Sequence, residues 1–141
     1  MRLIEICTLN DPQIADILGL MKELNADIPV TPQMLRRAVG APGTRIFAAE
    51  DGTRVVGCAT LCVYDSPTGR KASIEDVVVA SEYRGKGLGR ALLERIIDFA
   101  GSRLAPIDLH LTSSPERTEA NALYQSLGFI KRDTNAYKMT L

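Results

Sequence analysis

One stretch of the chain decides how the rest is interpreted, and it reads Val77-Val78-Val79-Ala80-Ser81-Glu82-Tyr83-Arg84-Gly85-Lys86-Gly87-Leu88-Gly89-Arg90. A β-branched run comes first and predicts the end of a buried strand. A basic, glycine-rich loop follows, and a helical pattern begins where the loop ends. Glycine lets a backbone approach a ligand closely, and a helix N-terminus presents unpaired N–H groups. The stretch therefore predicts a cradle for an anion such as a phosphate.

The apolar pattern on either side of this stretch predicts a mixed α/β chain with the element order βααβββαβαββ. An Asp11 N-cap followed by Pro12 marks the start of the first helix, and the Asp51-Gly52 pair predicts a hairpin turn. The predicted strands cover residues 2–7, 44–50, 54–64, 71–80, 107–113, 129–132 and 136–141. The predicted helices cover residues 11–28, 31–39 and 87–100, and a last helix is capped by residues 113–116 and runs to residue 127.

Length and composition predict one domain over residues 1–141, because the chain has 141 residues with 45% hydrophobic and 24% charged side chains. The 17 basic and 17 acidic residues cancel, so net charge offers no argument for a nucleic-acid or membrane partner. Cys7, Cys58 and Cys62 show no disulfide pattern, and the single His110 makes a metal site improbable. The N-terminus lacks the apolar region of a signal peptide, and no apolar run reaches membrane-spanning length. We expect a cytoplasmic protein without a metal.

The glycine spacing separates the predicted cradle from two common phosphate-binding loops. A Walker loop needs Ser or Thr after its Gly-Lys, whereas Gly87 follows Lys86 here. A dinucleotide fingerprint needs Gly-x-Gly-x-x-Gly, whereas Gly85, Gly87 and Gly89 are spaced Gly-x-Gly-x-Gly. The pattern Arg84-x-x-Gly87-x-Gly89 after a valine-rich strand resembles the pyrophosphate loop of the GNAT superfamily of N-acetyltransferases.

Two further segments resemble that superfamily, and together the similarities span about the whole chain. The segment Ile74-Glu75-Asp76-Val77-Val78-Val79 looks like its fourth strand, and the segment from Ala120 to Phe129 looks like its last helix and the Gly-Phe that follows. The resemblance implies the GNAT fold, a central mixed twisted sheet flanked by helices. It also implies an acyltransferase that moves an acetyl group from acetyl-CoA to a primary amine of a small molecule or peptide, by direct attack in a ternary complex.

The same resemblance implies which residues would hold acetyl-CoA as a co-substrate. Backbone groups of Val77 and Val79 would bind the pantetheine arm like an added strand, and the amides of residues 84–89 would bind the pyrophosphate. The Asn121 side chain resembles one that contacts the cofactor arm, although a polar residue in the first turn of a helix is the alternative. The implied cofactor-binding set is Val77, Val78, Val79, Arg84, Gly85, Lys86, Gly87, Leu88, Gly89, Arg90 and Asn121.

Acyl transfer to an amine also needs an acid for the leaving thiolate and a base for the attacking amine. The resemblance implies that Tyr124 is the acid. The alternative is a tyrosine of the hydrophobic core, because Tyr124 lies on one face of a helix with Leu123 and Leu127. Glu75 is the best candidate base, because a carboxylate in mid-strand suggests a wet cleft; a rim carboxylate paired with a basic residue is the alternative. Alternation puts Asp76 on the opposite side of the strand from Glu75. The position of His110 on a buried strand predicts a structural histidine, and a role as the base is the alternative.

Two function classes fit an intact loop, namely an enzyme and a sensor domain that binds acyl-CoA without turnover. Tyr124 together with a base favours the enzyme. The amine acceptor is not readable from the sequence, although the first two helices and residues 133–135 are expected to contact it. Glu23 is one of the acids there that could attract a cation. A homodimer is possible.

Overall fold

The computed structural model describes all residues from Met1 to Leu141. The backbone divides into two compact units, residues 1–111 and residues 112–141. The elements are β1 (Arg2–Ile6), α1 (Asp11–Leu24), α2 (Pro32–Gly40), β2 (Thr44–Asp51), β3 (Arg54–Ser66), β4 (Gly69–Val79), a 3₁₀ turn (Ser81–Tyr83), α3 (Leu88–Arg103), β5 (Leu109–His110) and α4 (Thr118–Ser126).

The first unit is built on a five-stranded sheet with the order β1-β2-β3-β4-β5. The first four strands pair antiparallel; α1 and α2 lie between β1 and β2, whereas the β2–β3 hairpin closes at the predicted Asp51-Gly52 turn. Strand β5 runs parallel to β4 after the α3 crossover, but the two strands pair only at Ala72↔Leu109 and Ser73↔His110. A mixed sheet flanked by helices is therefore confirmed, and the predicted strand 107–113 is much shorter than expected.

One face of the sheet packs against α1 and α2. Ile14, Ile17 and Leu20 recur on one side of α1 and are buried against sheet residues such as Ala48 and Cys58. The helix begins with a reciprocal cap: the Asn10 side chain accepts from Gln13 N–H at 2.8 Å, and the Gln13 side chain accepts from Asn10 N–H at 3.1 Å. The prediction of Asp11 as N-cap is wrong by one residue, because Asn10 forms this two-way box with Gln13.

The opposite face of the sheet packs against α3. Leu92, Leu93 and Ile96 are fully buried on this helix, and the Phe99 ring lies 5.8 Å from the Phe47 ring between centroids. Phe47 neighbours Ala48 on β2 and points to the other side of the sheet, so strand alternation divides the core into two layers. The longest helix, α3, has 16 residues, and no helix combines the length and apolar composition needed to cross a membrane.

Strand β4 contains one extra residue relative to β3. Thr60 pairs with Glu75 and Cys58 pairs with Val78, so Ala59 faces two residues, Asp76 and Val77. This is a β-bulge, and Asp76 adopts a positive φ of 52° within it. The bulge shifts the alternation of side chains along β4. The face of the sheet that a residue on one side of the bulge occupies therefore does not follow from counting residues on the other side.

The second unit contains α4 and an extended C-terminal segment. Gly128 follows α4 with a φ of 101°, and its N–H donates to Gln125 O at 3.1 Å, which closes the helix end. The predicted strands 129–132 and 136–141 are not formed: residues 129–141 contain no strand, and every residue from 130 to 141 is exposed. The alternating pattern was suited to strands, but a strand forms only where a neighbour pairs with it. The last helix, predicted to follow a cap at residues 113–116, begins at Thr118 with Arg117 as its N-cap.

Candidate functional site

The glycine loop leads into an open helix N-terminus, as the sequence predicts. Gly85 and Gly87 have φ values of 76° and 80°, the left-handed region that favours glycine. Gly87 is the N-cap of α3, and no side chain caps the helix. The first helical hydrogen bond runs from Ala91 N–H to Gly87 O at 3.0 Å, so the N–H groups of Leu88 and Gly89 have no acceptor within the helix.

The positions that a Cβ would take on these glycines are free of other protein atoms. A Cβ built on Gly85 or on Gly87 meets nothing within 4 Å. The glycines are therefore explained by backbone conformation and by room for a ligand, since nothing in the chain packs on them. Uncapped N–H groups, a helix dipole and open space fit a pyrophosphate, which carries negative charge and accepts several hydrogen bonds.

The β2–β3 hairpin braces the loop. Tyr83 Oη donates to Asp51 Oδ2 at 2.6 Å, and Arg54 Nη2 donates to Glu82 Oε1 at 2.6 Å. The hydrogen bond to Asp51, followed by desolvation, raises the pKa of Tyr83 above its ordinary value. Lys86 Nζ lies 5.1 Å from the centroid of the Tyr83 ring. These contacts join the loop to a rigid hairpin, and no sequence motif indicated them.

Helix α1 holds the loop from the other side. Glu23 Oε2 accepts from Ser81 N–H at 3.0 Å and lies 3.6 Å from Arg84 Nη2. Arg84 Nε donates to Val79 O at 3.0 Å. The Glu23 carboxylate therefore helps to position the loop, and the expectation that it could attract a cationic acceptor stays a prediction. The Arg84 guanidinium likewise ties the loop to the end of β4.

The end of β4 presents an open edge beside the loop. Ala80 N–H donates to Val56 O at 2.8 Å. Because backbone groups in an antiparallel ladder alternate in direction, those of Val78 also point toward β3. The backbone groups of Val77 and Val79 point away from β3. Strand β5 pairs with β4 only at Ala72 and Ser73. The outward backbone groups of Val77 and Val79 therefore have no strand beside them and fit an extended ligand arm, with Val79 O also accepting from Arg84 Nε.

A pair of carboxylates lies at the bulge next to this edge. Glu75 and Asp76 are both exposed, and Glu75 accepts from Ser73 Oγ at 2.5 Å. Desolvation first, and then the Glu75 carboxylate, raise the pKa of Asp76. Desolvation raises the pKa of the Cys62 thiol, a hydrogen bond with Thr44 opposes this rise, and the Glu75 and Asp76 carboxylates add to it. The bulge interrupts the alternation from which Asp76 was expected to face away from Glu75, so that expectation stays a prediction.

Asp76 is therefore a second candidate base, which the sequence pattern did not indicate. A raised carboxyl pKa lies closer to neutral pH, and a base accepts a proton most effectively when its pKa is near the working pH. Its positive φ depends on the pairing register of β4, which no local sequence pattern reveals. Cys58 is fully buried behind this pair, and burial raises the pKa of its thiol to about 12.

The second unit holds the predicted acid and one predicted cofactor contact. Tyr124 is 7% exposed on α4, and its ring meets Phe129 edge to face with centroids 6.2 Å apart. Asn121, one turn earlier, donates through Nδ2 to Ser114 O at 3.0 Å and so fixes the turn before α4. Both alternatives stay open for Asn121, because a side chain that orders this turn can also meet a ligand.

The other residues that the sequence singled out are His110, Arg90 and the three cysteines. His110 is half-buried on β5 opposite Ser73. Arg90 lies in the first turn of α3, with Nη1 3.6 Å from Glu94 Oε1. The three cysteines are free, with Cys7 exposed and Cys62 half-buried. No group of three or more His, Cys, Asp or Glu side chains is arranged to hold a metal ion.

Comparison with known proteins identifies the family. Residues 13–129 match the model of the acetyltransferase (GNAT) family, and the chain belongs to it. The chain is 37% identical over 87 residues to rat (Rattus norvegicus) N-acetyltransferase 8F1, covering 60% of this chain and 39% of that protein. It is 28% identical over 103 residues to the N-alpha-acetyltransferase RimI of Mycobacterium tuberculosis, covering 73% and 63% of the two chains. It spans less than half of the rat relatives' length, between 39% and 47%.

A solved structure shows the same fold. An acetyltransferase of Trypanosoma brucei superposes with a TM-score of 0.72 at 27% identity, covering 99% of this chain and 100% of that one. The resemblance drawn from the loop and the two flanking segments is therefore confirmed at the level of family and fold. The roles of individual residues stay predictions.

Proposed function

We propose that this chain transfers the acetyl group of acetyl-CoA to a primary amine by direct attack in a ternary complex. The observation that carries the proposal is the uncapped N-terminus of α3, entered through Gly85 and Gly87 in the left-handed conformation and surrounded by open space. The family match over residues 13–129 supports the same activity, because its members are acetyltransferases.

Binding of acetyl-CoA would use two adjacent backbone surfaces. The amides from Arg84 to Gly89 would donate to the pyrophosphate, with Lys86 and Arg90 adding positive charge nearby. The outward groups of Val77 and Val79 would pair with the amide-containing arm in the manner of a strand. Backbone donors held by a hairpin and a helix need little reorganisation, so they bind without a large entropic cost.

The chemistry itself would fall to a few side chains. Acetyl-CoA supplies a thioester carbonyl that is already activated, so the chain needs no covalent intermediate. Glu75, with Asp76 beside it, would accept a proton from the attacking amine, directly or through water. Tyr124 would donate its phenolic proton to the departing thiolate as the carbon–sulfur bond breaks. Backbone N–H groups at the bulge would stabilise the negative charge on the carbonyl oxygen.

The acceptor class is open between small amines and peptide N-termini. The M. tuberculosis relative is named an N-alpha-acetyltransferase, and another relative, from rice (Oryza sativa), is named a glucosamine 6-phosphate N-acetyltransferase. These names point to different amines. A panel should therefore include an alanine-terminated peptide, an amino sugar phosphate and a simple alkylamine.

Release of free CoA thiol from acetyl-CoA, measured against this panel, tests the proposal. We expect acetyl-CoA to bind without any amine and at least one amine to raise thiol release well above hydrolysis. Binding without stimulation by any amine would instead support a sensor that holds acyl-CoA. No binding at millimolar acetyl-CoA would refute both functions.

A further inference from the structure

Glu23 brings a carboxylate of α1 close to the anion cradle, where a negative charge by itself would weaken the binding of a phosphate. The residue lies in the last turn of α1, and its Oε2 atom contacts two groups of the segment that leads into α3. Like charges repel, so a bare carboxylate here would disfavour a pyrophosphate. The position of Glu23 therefore calls for an explanation other than its charge.

The Glu23 carboxylate contacts both ends of the 3₁₀ turn that precedes the glycines. Its Oε2 atom accepts from Ser81 N–H at 3.0 Å, where the turn begins, and lies 3.6 Å from Nη2 of Arg84, the C-cap of the turn. Within the turn, Arg84 N–H donates to Ser81 O at 3.3 Å. Tyr83 N–H donates to Ala80 O at 2.9 Å. One oxygen atom on α1 thus restrains the turn at its start and at its end.

The Arg84 guanidinium connects the same turn to the end of β4. Its Nε donates to Val79 O at 3.0 Å while its Nη2 faces Glu23. A planar guanidinium with a partner on each side has a fixed direction. Glu23, the Ser81 N–H, the Arg84 guanidinium and the Val79 carbonyl form a closed set of contacts, which is called the Glu23 clasp below.

The clasp acts through the conformation of the loop more than through the strength of its ion pair. The Glu23 and Arg84 side chains are 36% and 58% exposed, and an ion pair in water contributes little by itself. The residues that follow include Gly85 and Gly87, whose backbone would sample many conformations without a restraint. A loop that spends only about a tenth of its time in the binding conformation binds its ligand about tenfold more weakly.

We propose that Glu23 is a positioning residue for acetyl-CoA, because the Glu23 clasp fixes residues 79–84 and so presents the glycine loop to the pyrophosphate in its binding conformation. The inference rests on the proposed function, since it takes acetyl-CoA as the ligand of the loop. Arg84 neutralises the carboxylate, so the restraint outweighs the remaining repulsion. The net effect of Glu23 on acetyl-CoA affinity is favourable, which is opposite in sign to the effect of its charge.

Isothermal titration of the full chain with acetyl-CoA, without an amine, separates positioning from charge. Glu23→Gln keeps an oxygen that can accept from Ser81 N–H but removes the charge, whereas Glu23→Ala removes both contacts. We expect binding about threefold weaker for Glu23→Gln and about tenfold weaker for Glu23→Ala. If charge alone mattered, both variants would bind acetyl-CoA more tightly than the unmodified chain. Tighter or unchanged binding in both variants overturns the proposal.

Arg84→Gln, alone and combined with Glu23→Gln, makes the test of sign sharper. Members of one clasp act together, so each single variant should bind acetyl-CoA more weakly and the double variant about as weakly as the weaker single variant. Two independent charges would instead give opposite changes that cancel. A double variant with the affinity of the unmodified chain therefore overturns the proposal.

Asp11→Asn is the matched control, because it removes an acid from the opposite end of the same helix. The change weakens the favourable interaction of Asp11 with the N-terminus of α1, so it tests whether a less stable α1 is enough to lower affinity. We expect acetyl-CoA affinity to be unchanged. A loss equal to that of Glu23→Gln would assign the effect to helix stability and overturn the positioning role.

Steady-state kinetics adds a readout that a merely structural role would not give. With an amine that stimulates thiol release, Glu23→Gln should raise KM for acetyl-CoA about threefold and leave kcat at saturating acetyl-CoA within about twofold. Partial unfolding would lower kcat instead, because less active protein would be present. A lowered kcat with an unchanged KM overturns the proposal.

Hydrogen exchange of the free chain tests the clasp separately from the proposed function. The amides of Ser81, Tyr83 and Arg84 should exchange at least about tenfold faster in Glu23→Ala than in the unmodified chain or in Asp11→Asn. Unchanged exchange at Tyr83 and Arg84 would show that Glu23 does not hold the turn, and it overturns the inference. If the unmodified chain does not bind acetyl-CoA, the proposed function is refuted, whereas the exchange rates still decide whether Glu23 fixes the loop.

Discussion

Gly87 offers a direct test of the anion cradle, because it can be replaced by two residues that differ almost only in charge. Its φ of 80° lies in the left-handed region, where Asn and Asp are tolerated better than other side chains. It is also the N-cap of α3, a position where Asn and Asp are equally good. Gly87→Asn and Gly87→Asp should therefore have similar free energies of unfolding, and both side chains would enter the same open space.

The difference between the two variants reports the charge of the ligand. A carboxylate about 8 Å from one negative charge at an effective dielectric constant of about 20 is repelled by roughly 2 kcal/mol. That energy corresponds to an affinity for acetyl-CoA about 30-fold weaker in the Gly87→Asp variant than in the Gly87→Asn variant. Because 8 Å is about one Debye length at physiological salt, screening there should reduce the ratio to about fourfold, and low salt should restore it. Isothermal titration with acetyl-CoA measures both values.

A control at the opposite end of the same helix keeps the interpretation specific. Gly101→Asp adds the same charge to α3 at a position where a Cβ also meets nothing within 4 Å, and it should leave acetyl-CoA affinity unchanged. Equal affinities for the Gly87→Asn and Gly87→Asp variants at low salt would refute a phosphate at this helix end. Equal losses in the Gly87→Asp and Gly101→Asp variants would point to a long-range effect of net charge instead.

Three further outcomes are expected. Acetyl-CoA at 100 times its Kd should raise the free energy of unfolding by about 2.7 kcal/mol in a denaturant titration, and an unchanged midpoint would contradict binding to the folded state. Tyr124→Phe should lower turnover roughly 10²-fold with little change in acetyl-CoA affinity, whereas lost stability with normal turnover would make Tyr124 a core residue. Glu75→Gln removes a negative charge that raises the pKa of Asp76, so that pKa should fall in an NMR titration, and an unchanged value would show that the two carboxylates do not interact.

The sequence predicted the parts of the fold that depend on local pattern. The helix start after Gly87, the hairpin at Asp51-Gly52 and the mixed sheet all follow from short-range signals, and the structure confirms them. The Asn10 cap was within reach as well, because Gln13 lies three residues later and completes a known box. Such features need no knowledge of which segments meet in space.

The features that sequence reasoning missed depend on partners distant in the chain. The bulge at Asp76 exists only in the register between β3 and β4, since Ile74 to Val79 reads as a regular strand by itself. The bracing of the loop by Asp51 and Glu23 joins residues that are far apart in sequence. The strands expected in residues 129–141 had the right composition, but composition does not supply the neighbour that a strand needs.

The bulge in β4 also has a consequence for insertions and deletions. Removal of Asp76 alone would bring Val77 opposite Ala59 while Cys58 stays opposite Val78 and Thr60 stays opposite Glu75, which restores a regular ladder. The pairing register therefore accommodates deletion of Asp76 or of Val77, whereas removal of a residue elsewhere in β4 would move apolar side chains to the wrong face. The chain is longer by one residue here than the pairing of β3 with β4 requires.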